Sequence, residues 1–300
     1  MMPVKSSTNL RGQLLVNEPM SRHTSWRVGG PADRLYIPAD LDDLAAFLAT
    51  HPAPEPLHWA GLGSNLLVRD GGVRGTVIIT SGALNGLSML GAGVVRAEAG
   101  VPGAKVARFC AERELVGAEF LAGIPGTVGG ALAMNAGAFG GETWKIVGAV
   151  ETIDRLGERR TRNPGDYKIS YRQVAGPPGE WFVAAHFRLE SGDSSQGKTL
   201  IKTLLARRGA TQPTQLPNAG SVFKNPPGDH AARLIEASGL KGVCEGKACV
   251  SELHANFIVN QGGATAADIE RLISRVQATV ENLHGVTLET EVRIIGESGT

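Results

Sequence analysis

Aromatic residues are scarce, 5% of 300 residues, and neither sign of charge dominates: 30 Lys+Arg face 29 Asp+Glu for a net charge of +1. A general nucleic-acid or membrane-surface binder needs clustered positive charge, so the near balance sets both classes aside. Cysteine is rarer still. Cys110, Cys244 and Cys249 are the three present, and no CxxC pair occurs. Three thiols do not make a disulfide framework, and a reducing, cytoplasmic setting is the plain expectation. No apolar h-region follows the first Met, so no secretory signal is read, and no internal repeat or low-complexity segment is found. A long hydrophobic run is missing as well. The longest uncharged stretch, 120–141, is interrupted by seven glycines, Pro125 and Asn135. Despite a GxxxG at Gly126 and Gly130, it lacks the sustained aliphatic run of a membrane span.

What is present is a 42% apolar content, ample for real cores, and an unusual 40 glycines. Short strands and helices alternate, which predicts an α+β fold. Asp40 precedes Leu41, Leu44, Ala45 and Leu48, the stripe of a capped helix. Strands are expected at 57–59, 76–79 and 181–189. Pro102 opens a helix with Val106, Phe109 and Cys110 inward that stops at Gly117. The polar stretch 191–199 reads as a linker, dividing a larger N-terminal unit (1–190) from a smaller C-terminal one (200–300). In the latter, Thr265 and Asp268 form a capping-box-like start to a helix over 266–284. Ile269, Leu272, Ile273, Val276, Val280 and Leu283 make its core stripe, and Gly285 terminates it. A strand is expected next, with Val286, Leu288, Thr290, Val292 and Ile294 on one face and Glu289, Glu291 and Arg293 on the other.

Three glycine-rich signals carry functional information. Gly61-Leu62-Gly63-Ser64-Asn65-Leu66 follows a short strand, but Leu66 stands where a dinucleotide fingerprint needs its third glycine. Converging backbone N–H groups, with Ser64 and Asn65 as extra donors, suit an anion all the same. The segment 192–199 satisfies GxxxxGK[ST], the phosphate loop of nucleotide hydrolases. Its context argues otherwise: His186, Arg188 and Glu190 alternate along the strand before it, and no later apolar strand ends in a magnesium-binding Asp. The third signal, 117–138, is densest in glycine and exposes backbone to something lying against it. Two such anion-binding loops in one unit suggest a large phosphorylated cofactor.

These residues resemble one family. Gly61-Leu62-Gly63-Ser64-Asn65, the run from Gly123-Ile124-Pro125-Gly126-Thr127 through Gly129 and Gly130, Asn135-Ala136-Gly137, Gly220-Ser221-Val222-Phe223-Lys224-Asn225-Pro226 and the 288–293 segment are similar to those of the UDP-N-acetylenolpyruvoylglucosamine reductases, in the shorter, type II form. The resemblance covers roughly 24–296. It implies an FAD-binding domain of the p-cresol-methylhydroxylase/vanillyl-alcohol-oxidase type over 1–190, in two α+β subdomains split near 75–80. A C-terminal substrate domain over 200–300 is implied with it. It further implies non-covalent FAD held by Gly61, Gly63, Ser64, Asn65, Leu66, Gly123, Ile124, Pro125, Gly126, Thr127, Gly129, Gly130, Asn135 and Gly137. NADPH would be the hydride donor, and the product UDP-N-acetylmuramate serves peptidoglycan synthesis and so cell shape and division.

By the same resemblance Ser221 is the proton donor, Arg172 orients the enolpyruvyl carboxylate, and Glu291 is the acid beside it. On an extended strand Glu289 and Arg293 would share the Glu291 face, each about 7 Å away. A catalytic Glu291 should be desolvated with a raised pKa. Asn225, Lys241 and His254 match the UDP-sugar positions. Val174 stands where the family usually has a serine near the arginine. Cys249 and His254 lack two further ligands at zinc spacing, so no metal site is expected. No oligomer, nucleic-acid partner or membrane partner is implied. A P-loop nucleotide hydrolase using 192–199 and a non-catalytic sugar-nucleotide-binding protein stand as alternatives.

Overall fold

The computed structural model describes residues 10–51 and 54–299. The first unit comprises β1 (Gln13–Pro19), β2 (Pro31–Ile37), α1 (Leu41–Thr50), β3 (Leu57–Ala60), β4 (Leu66–Val68) and β5 (Val73–Ile79). Its sheet has the order β1-β2-β5-β3, antiparallel between β1 and β2 and parallel elsewhere. Helix α1 starts where its cap predicts, the Asp40 carboxylate accepting from Asp43 N at 2.9 Å. Its Leu41, Leu44, Phe47 and Leu48 stripe packs against Tyr36 and Ile78 of this sheet and against Ile153 and Val183 of the next. The two sheets therefore share one apolar seam.

The second unit runs through β6 (Leu87–Gly91), β7 (Val94–Glu98), α2 (Gly103–Ala111), β8 (Leu115–Val116), α3 (Val128–Met134), β9 (Gly137–Ala138), β10 (Gly141–Glu142), β11 (Val147–Asp154), β12 (Arg159–Arg162), β13 (Lys168–Ser170), β14 (Gln173–Ala175) and β15 (Glu180–Arg188). Its main sheet is antiparallel, in the order β12-β11-β15-β7-β6. Helices α2 and α3 supply Val106, Cys110, Val128 and Leu132 to the core over it. Helix α2 stops at Ala111 rather than Gly117, because Leu115 and Val116 pair as a strand with β16 (Glu190–Ser191). The densest glycine stretch is not all loop: 128–134 is helical, and Gly129 lets α3 approach Ala99, which a Cβ would meet at 3.0 Å.

The expected linker is a helix. Residues 194–211 form α4 (Ser194–Thr211), capped by Asp193, whose carboxylate accepts from Ser195 N and Gln196 N. Only Gly197 and Ile201 are buried, Ile201 in the core beside α2, and so short an apolar face gave little periodicity to read. The same cap removes the phosphate-loop alternative. The amides that would cradle a phosphate are occupied by Asp193, and Gly192 packs on Val116.

The C-terminal unit holds α5 (Ala231–Ala237), β17 (Cys244–Glu245), β18 (Ala248–Val250), β19 (Ile258–Asn260), α6 (Ala266–His284) and β20 (Arg293–Ile295). Helix α6 has the expected bounds, a full Thr265/Asp268 capping box and Gly285 in the left-handed region at φ +65. Leu283 is an exception to its stripe, 62% exposed at the solvent edge of the last turn. After it, Leu288 and Val292 are buried and Glu289 and Arg293 exposed, but before β20 the segment makes only an isolated bridge at Thr290 and bends at Val292. Cys244 and Cys249 face each other across the β17–β18 hairpin and are joined as a disulfide, against the expectation of free thiols; Cys110 is free and buried.

The C-terminal unit is fastened to the first. Strand β20 pairs in parallel with β4, Arg293 opposite Leu66. Asp70 accepts from Ala266 N and Ala267 N, both at 2.9 Å, adding a second acceptor to the start of α6. Trp26, fully buried, donates from Nε1 to Ile258 O at 2.7 Å and sits in the C-terminal core with Val28 and Leu67. Among the described residues no helix is long and apolar enough to cross a membrane.

Candidate active site

The two glycine-rich bends meet at the junction of the sheets. Ser64 Oγ donates to Pro125 O at 2.6 Å, tying 61–66 to 123–130. Gly61 faces Thr127 so closely that any Cβ there would overlap Thr127 Oγ1. Beside them lies a cavity of about 250 Å³ lined by Trp59, Gly61, Gly129, Gly130, Tyr167, Trp181 and Arg293 among others. That is smaller than the roughly 300–1,000 Å³ of a typical ligand pocket, so a dinucleotide would extend from it along the bends.

Three buried polar atoms here have no hydrogen-bond partner among the described residues: Trp59 Nε1, Tyr167 OH and Thr127 Oγ1. Each such orphan costs about 1–3 kcal/mol unless a ligand pairs it. Burial, with Glu180 nearby, pushes the Tyr167 phenol up to about 12, so it remains a donor at neutral pH. Hydrogen-bonding atoms left open, small residues and paired aromatic rings (Trp59 and Trp181, centroids 5.1 Å apart) fit a flavin-adenine dinucleotide. The residues to hold it are those of the two bends.

Several polar side chains expected to touch the cofactor also make bonds within the protein. Ser64 braces the second bend. Asn65 Nδ2 donates to Glu291 O at 3.0 Å, and Asn65 O accepts from Arg293 N, so Asn65 props the C-terminal strand. Asn135 and Gly137 surround Arg172: their carbonyls accept from its Nη1 (3.3 Å) and Nη2 (2.9 Å). Position 137 admits no side chain, since a Cβ would lie 3.1 Å from Arg172 Nη1 and 2.5 Å from Gly141 O.

Arg172 is the second residue of the tight β13–β14 turn, at φ +56, a left-handed conformation uncommon outside glycine. That turn aims the guanidinium at Glu291. Nε lies 2.9 Å from Glu291 Oε1, and both side chains are largely buried, 17% and 16% exposed. The N–H is not directed at the oxygen, so the contact is a charge pair rather than an aligned hydrogen bond. Burial pushes the Glu291 carboxyl above its ordinary range, while Arg172 and Lys224 pull the other way.

Ser221 enters from a third segment. Val222 O accepts from Glu291 N at 2.8 Å, Lys224 N donates to Glu289 O, and Phe223 bridges Thr290. Ser221 thus adjoins the residue bonded to Glu291, and no hydrogen bond of its Oγ is present among the described residues. Asn256, buried, clamps Phe223 at both N and O (3.0 and 2.8 Å).

The positions matched to the UDP-sugar divide. Lys241 Nζ is 2.9 Å from Glu236 and acts electrostatically on His254, whose pKa is lowered by burial first and by Lys241 in part. Asn225 stands at the other end of α5, accepting from Ala231 N at 3.1 Å, with no bond from its NH₂ among the described residues. Trp59, Tyr167, Trp181, Lys224, Asn256 and Glu142 were not singled out by the sequence. Lys224 lies inside a recognised motif, whereas the aromatics gave no signal beyond strand propensity. Among the described residues no group of three or more His, Cys, Asp or Glu is placed to hold a metal ion.

Known proteins are similar to this chain. Residues 32–162 match the family model described as an FAD binding domain, and residues 212–295 match that of the C-terminal domain of UDP-N-acetylenolpyruvoylglucosamine reductase. A reductase of that name from Methylococcus capsulatus is 62% identical over 96% of this chain and 95% of its own. One from Legionella pneumophila is 57% identical over 97% and 95%. The crystal structure of the Thermus caldophilus enzyme superposes with a TM-score of 0.80 at 33% identity, covering 95% of this chain and 98% of that one. At the level of fold alone, 6-hydroxy-D-nicotine oxidase from Arthrobacter nicotinovorans aligns with a TM-score of 0.56 at 10% identity. Two flavin-fitting bends, an Arg–Glu pair beside them and full-length likeness at such identity lead to one assignment: the chain belongs to the UDP-N-acetylenolpyruvoylglucosamine reductase family.

Proposed function

We propose that this protein reduces UDP-N-acetylglucosamine enolpyruvate to UDP-N-acetylmuramate in peptidoglycan synthesis, an FAD-dependent reaction that uses NADPH. The observation that carries the reading is the buried Arg172–Glu291 pair beside the two bends. Hydride transfer from NADPH to the enolpyruvyl double bond is the chemistry that bound FAD supplies. The chain's own groups handle the charge and the proton. Hydride arriving at C3 spreads negative charge over C2 and the neighbouring carboxylate. Arg172 keeps one N–H on each Nη uncommitted to a carbonyl, two donors that fork onto that carboxylate. Ser221 Oγ, without a hydrogen bond among the described residues, relays a proton to C2 while taking one from solvent, so that no serine alkoxide is left behind. Glu291 faces the same carbon, its carboxyl pushed above the ordinary range by burial and so a better proton holder than an exposed carboxylate.

Lys241, His254 and the amide of Asn225 receive the UDP-sugar, Lys241 at the diphosphate. Substrate and hydride donor are soluble nucleotides, which supports a cytoplasmic setting; the product supports roles in cell shape and division. The purified protein is expected to be yellow and to bleach with NADPH, the colour returning when the enolpyruvyl substrate is added. In Ser221→Ala the bleaching should persist while the return of colour collapses. Equal loss of both half-reactions would contradict the role given to Ser221.

A further inference from the structure

We propose that Asn135 is a positioning residue that locks the Arg172 guanidinium against Glu291, and that its side chain makes no contact with the cofactor. The inference rests on the reading above that Arg172 and Glu291 act on the substrate.

Asn135 is 1% exposed and closes α3 in the left-handed region at φ +42. A carboxamide has two N–H donors. Here both are committed: Nδ2 donates to Glu142 Oε2 at 3.0 Å and to Ser170 O at 3.1 Å. Oδ1 accepts from Trp144 N at 3.2 Å. No donor is left for a ligand. The two Nδ2 bonds instead fix the surroundings of the arginine. Ser170 ends β13, next to the turn that carries Arg172, so the bond to its carbonyl holds the hairpin. Glu142 pairs with Gly137 across the β9–β10 hairpin, whose Gly137 carbonyl receives Arg172 Nη2. Asn135's own carbonyl receives Nη1.

One side chain therefore joins the flavin-side helix, the hairpin of the arginine and the carbonyls that fork its guanidinium. The left-handed backbone explains the residue type. Asn enters that region more readily than other side-chain-bearing residues, whereas Gly enters it without supplying an amide.

Asn135→Gly separates the two roles, because it keeps the backbone conformation and deletes only the amide. Three readouts apply to the flavin-loaded protein. Flavin content and the rate of bleaching by NADPH should match wild type. Reoxidation by the enolpyruvyl substrate should slow by about tenfold, the usual scale for loosening one charged hydrogen-bonding group. The midpoint of the Glu291 carboxyl, followed by ¹³C NMR and assigned with Glu291→Gln, should move upward. Arg172 and Lys224 are the charged groups that hold it down, and only the hold of Arg172 is relaxed.

An unchanged midpoint accompanied by loss of flavin would overturn the proposal and make Asn135 a cofactor contact. Should Asn135→Gly fail to fold, Glu142→Ala removes one of the three amide bonds from a half-exposed position. Faster rotation about the Arg172 Cζ–Nη bonds in ¹⁵N spectra is then expected, and rotation as slow as in wild type refutes the idea. The NMR measurements need no substrate. A protein inactive towards the enolpyruvyl compound would sink the functional reading while leaving the test of Asn135 standing.

Discussion

Replacing Arg172 with alanine is the sharpest test of the site. The guanidinium gives one N–H from each Nη to the carbonyls of Asn135 and Gly137, leaving one on each for the substrate carboxylate. Charge-assisted bonds of this kind contribute about 1.5–3 kcal/mol each, and two on one carboxylate sum to less than double. A loss of about 3–4 kcal/mol in the substrate half-reaction follows, or roughly a hundred- to thousandfold in rate. Glu291 also loses the charge that opposes its burial, so its carboxyl rises further and stays protonated to higher pH. Stopped-flow absorbance of the flavin separates the halves: bleaching by NADPH should be unchanged, while return of colour with enolpyruvyl substrate slows by that factor. A loss below about tenfold, or an equal loss in both halves, refutes the assignment of the arginine to the substrate. Arg172→Lys restores charge without the fork and should recover only part of the rate.

Gly61→Ala forces a Cβ onto Thr127 Oγ1 and pushes the two bends apart, so flavin bound per protein, read from the visible-to-ultraviolet absorbance ratio, should fall sharply; full occupancy would show that the bends do not hold it. Glu291→Gln tests the raised carboxyl pKa through stability. The folded form holds this proton more tightly than the unfolded chain, so the contribution is complete below the ordinary carboxylate range and is lost as pH rises through the folded value. Melting temperatures of the two proteins should shift in favour of the glutamine form as pH rises above the ordinary carboxylate range, and a pH-independent difference would refute this. The Cys244–Cys249 bond closes a loop of sequence separation 5, which stabilises by at most about 2 kcal/mol on the chain-entropy account. A phosphine reductant should therefore lower the melting temperature by no more than about 3 °C, and Cys244→Ser should abolish the response; a larger drop, or the same drop in Cys244→Ser, would refute the reasoning.

What could be read beforehand was what local chemistry dictates. Helix α6 announced itself through Thr265, Asp268 and Gly285, each acting within a few residues. The bends were legible because Gly61, Gly126 and Gly137 stand where other backbone or side chains come too close for a Cβ. Long-range pairing was not legible. The alternation over 286–294 gave the buried and exposed faces, yet whether those residues join a ladder depends on β4, which no local pattern names. Helix α4 passed for a linker because solvent faces most of it. The bracing bonds of Ser64, Asn65 and Asn135 were not legible for a related reason. A polar side chain in a glycine-rich bend serves a ligand and a brace equally well on paper, and only the neighbouring segments decide.

The pairing of β4 with β20 also orders events in time. Asn65 and the Glu291 carbonyl it supports are 226 residues apart, and at 5–20 residues per second a ribosome takes roughly ten to forty-five seconds to travel between them. Throughout that interval the nascent first bend exists without the strand that steadies it, even though its own sheet can already be folded. Damage near 291–295 is therefore expected to loosen the first bend and lower flavin retention in a chain whose N-terminal sheets still assemble.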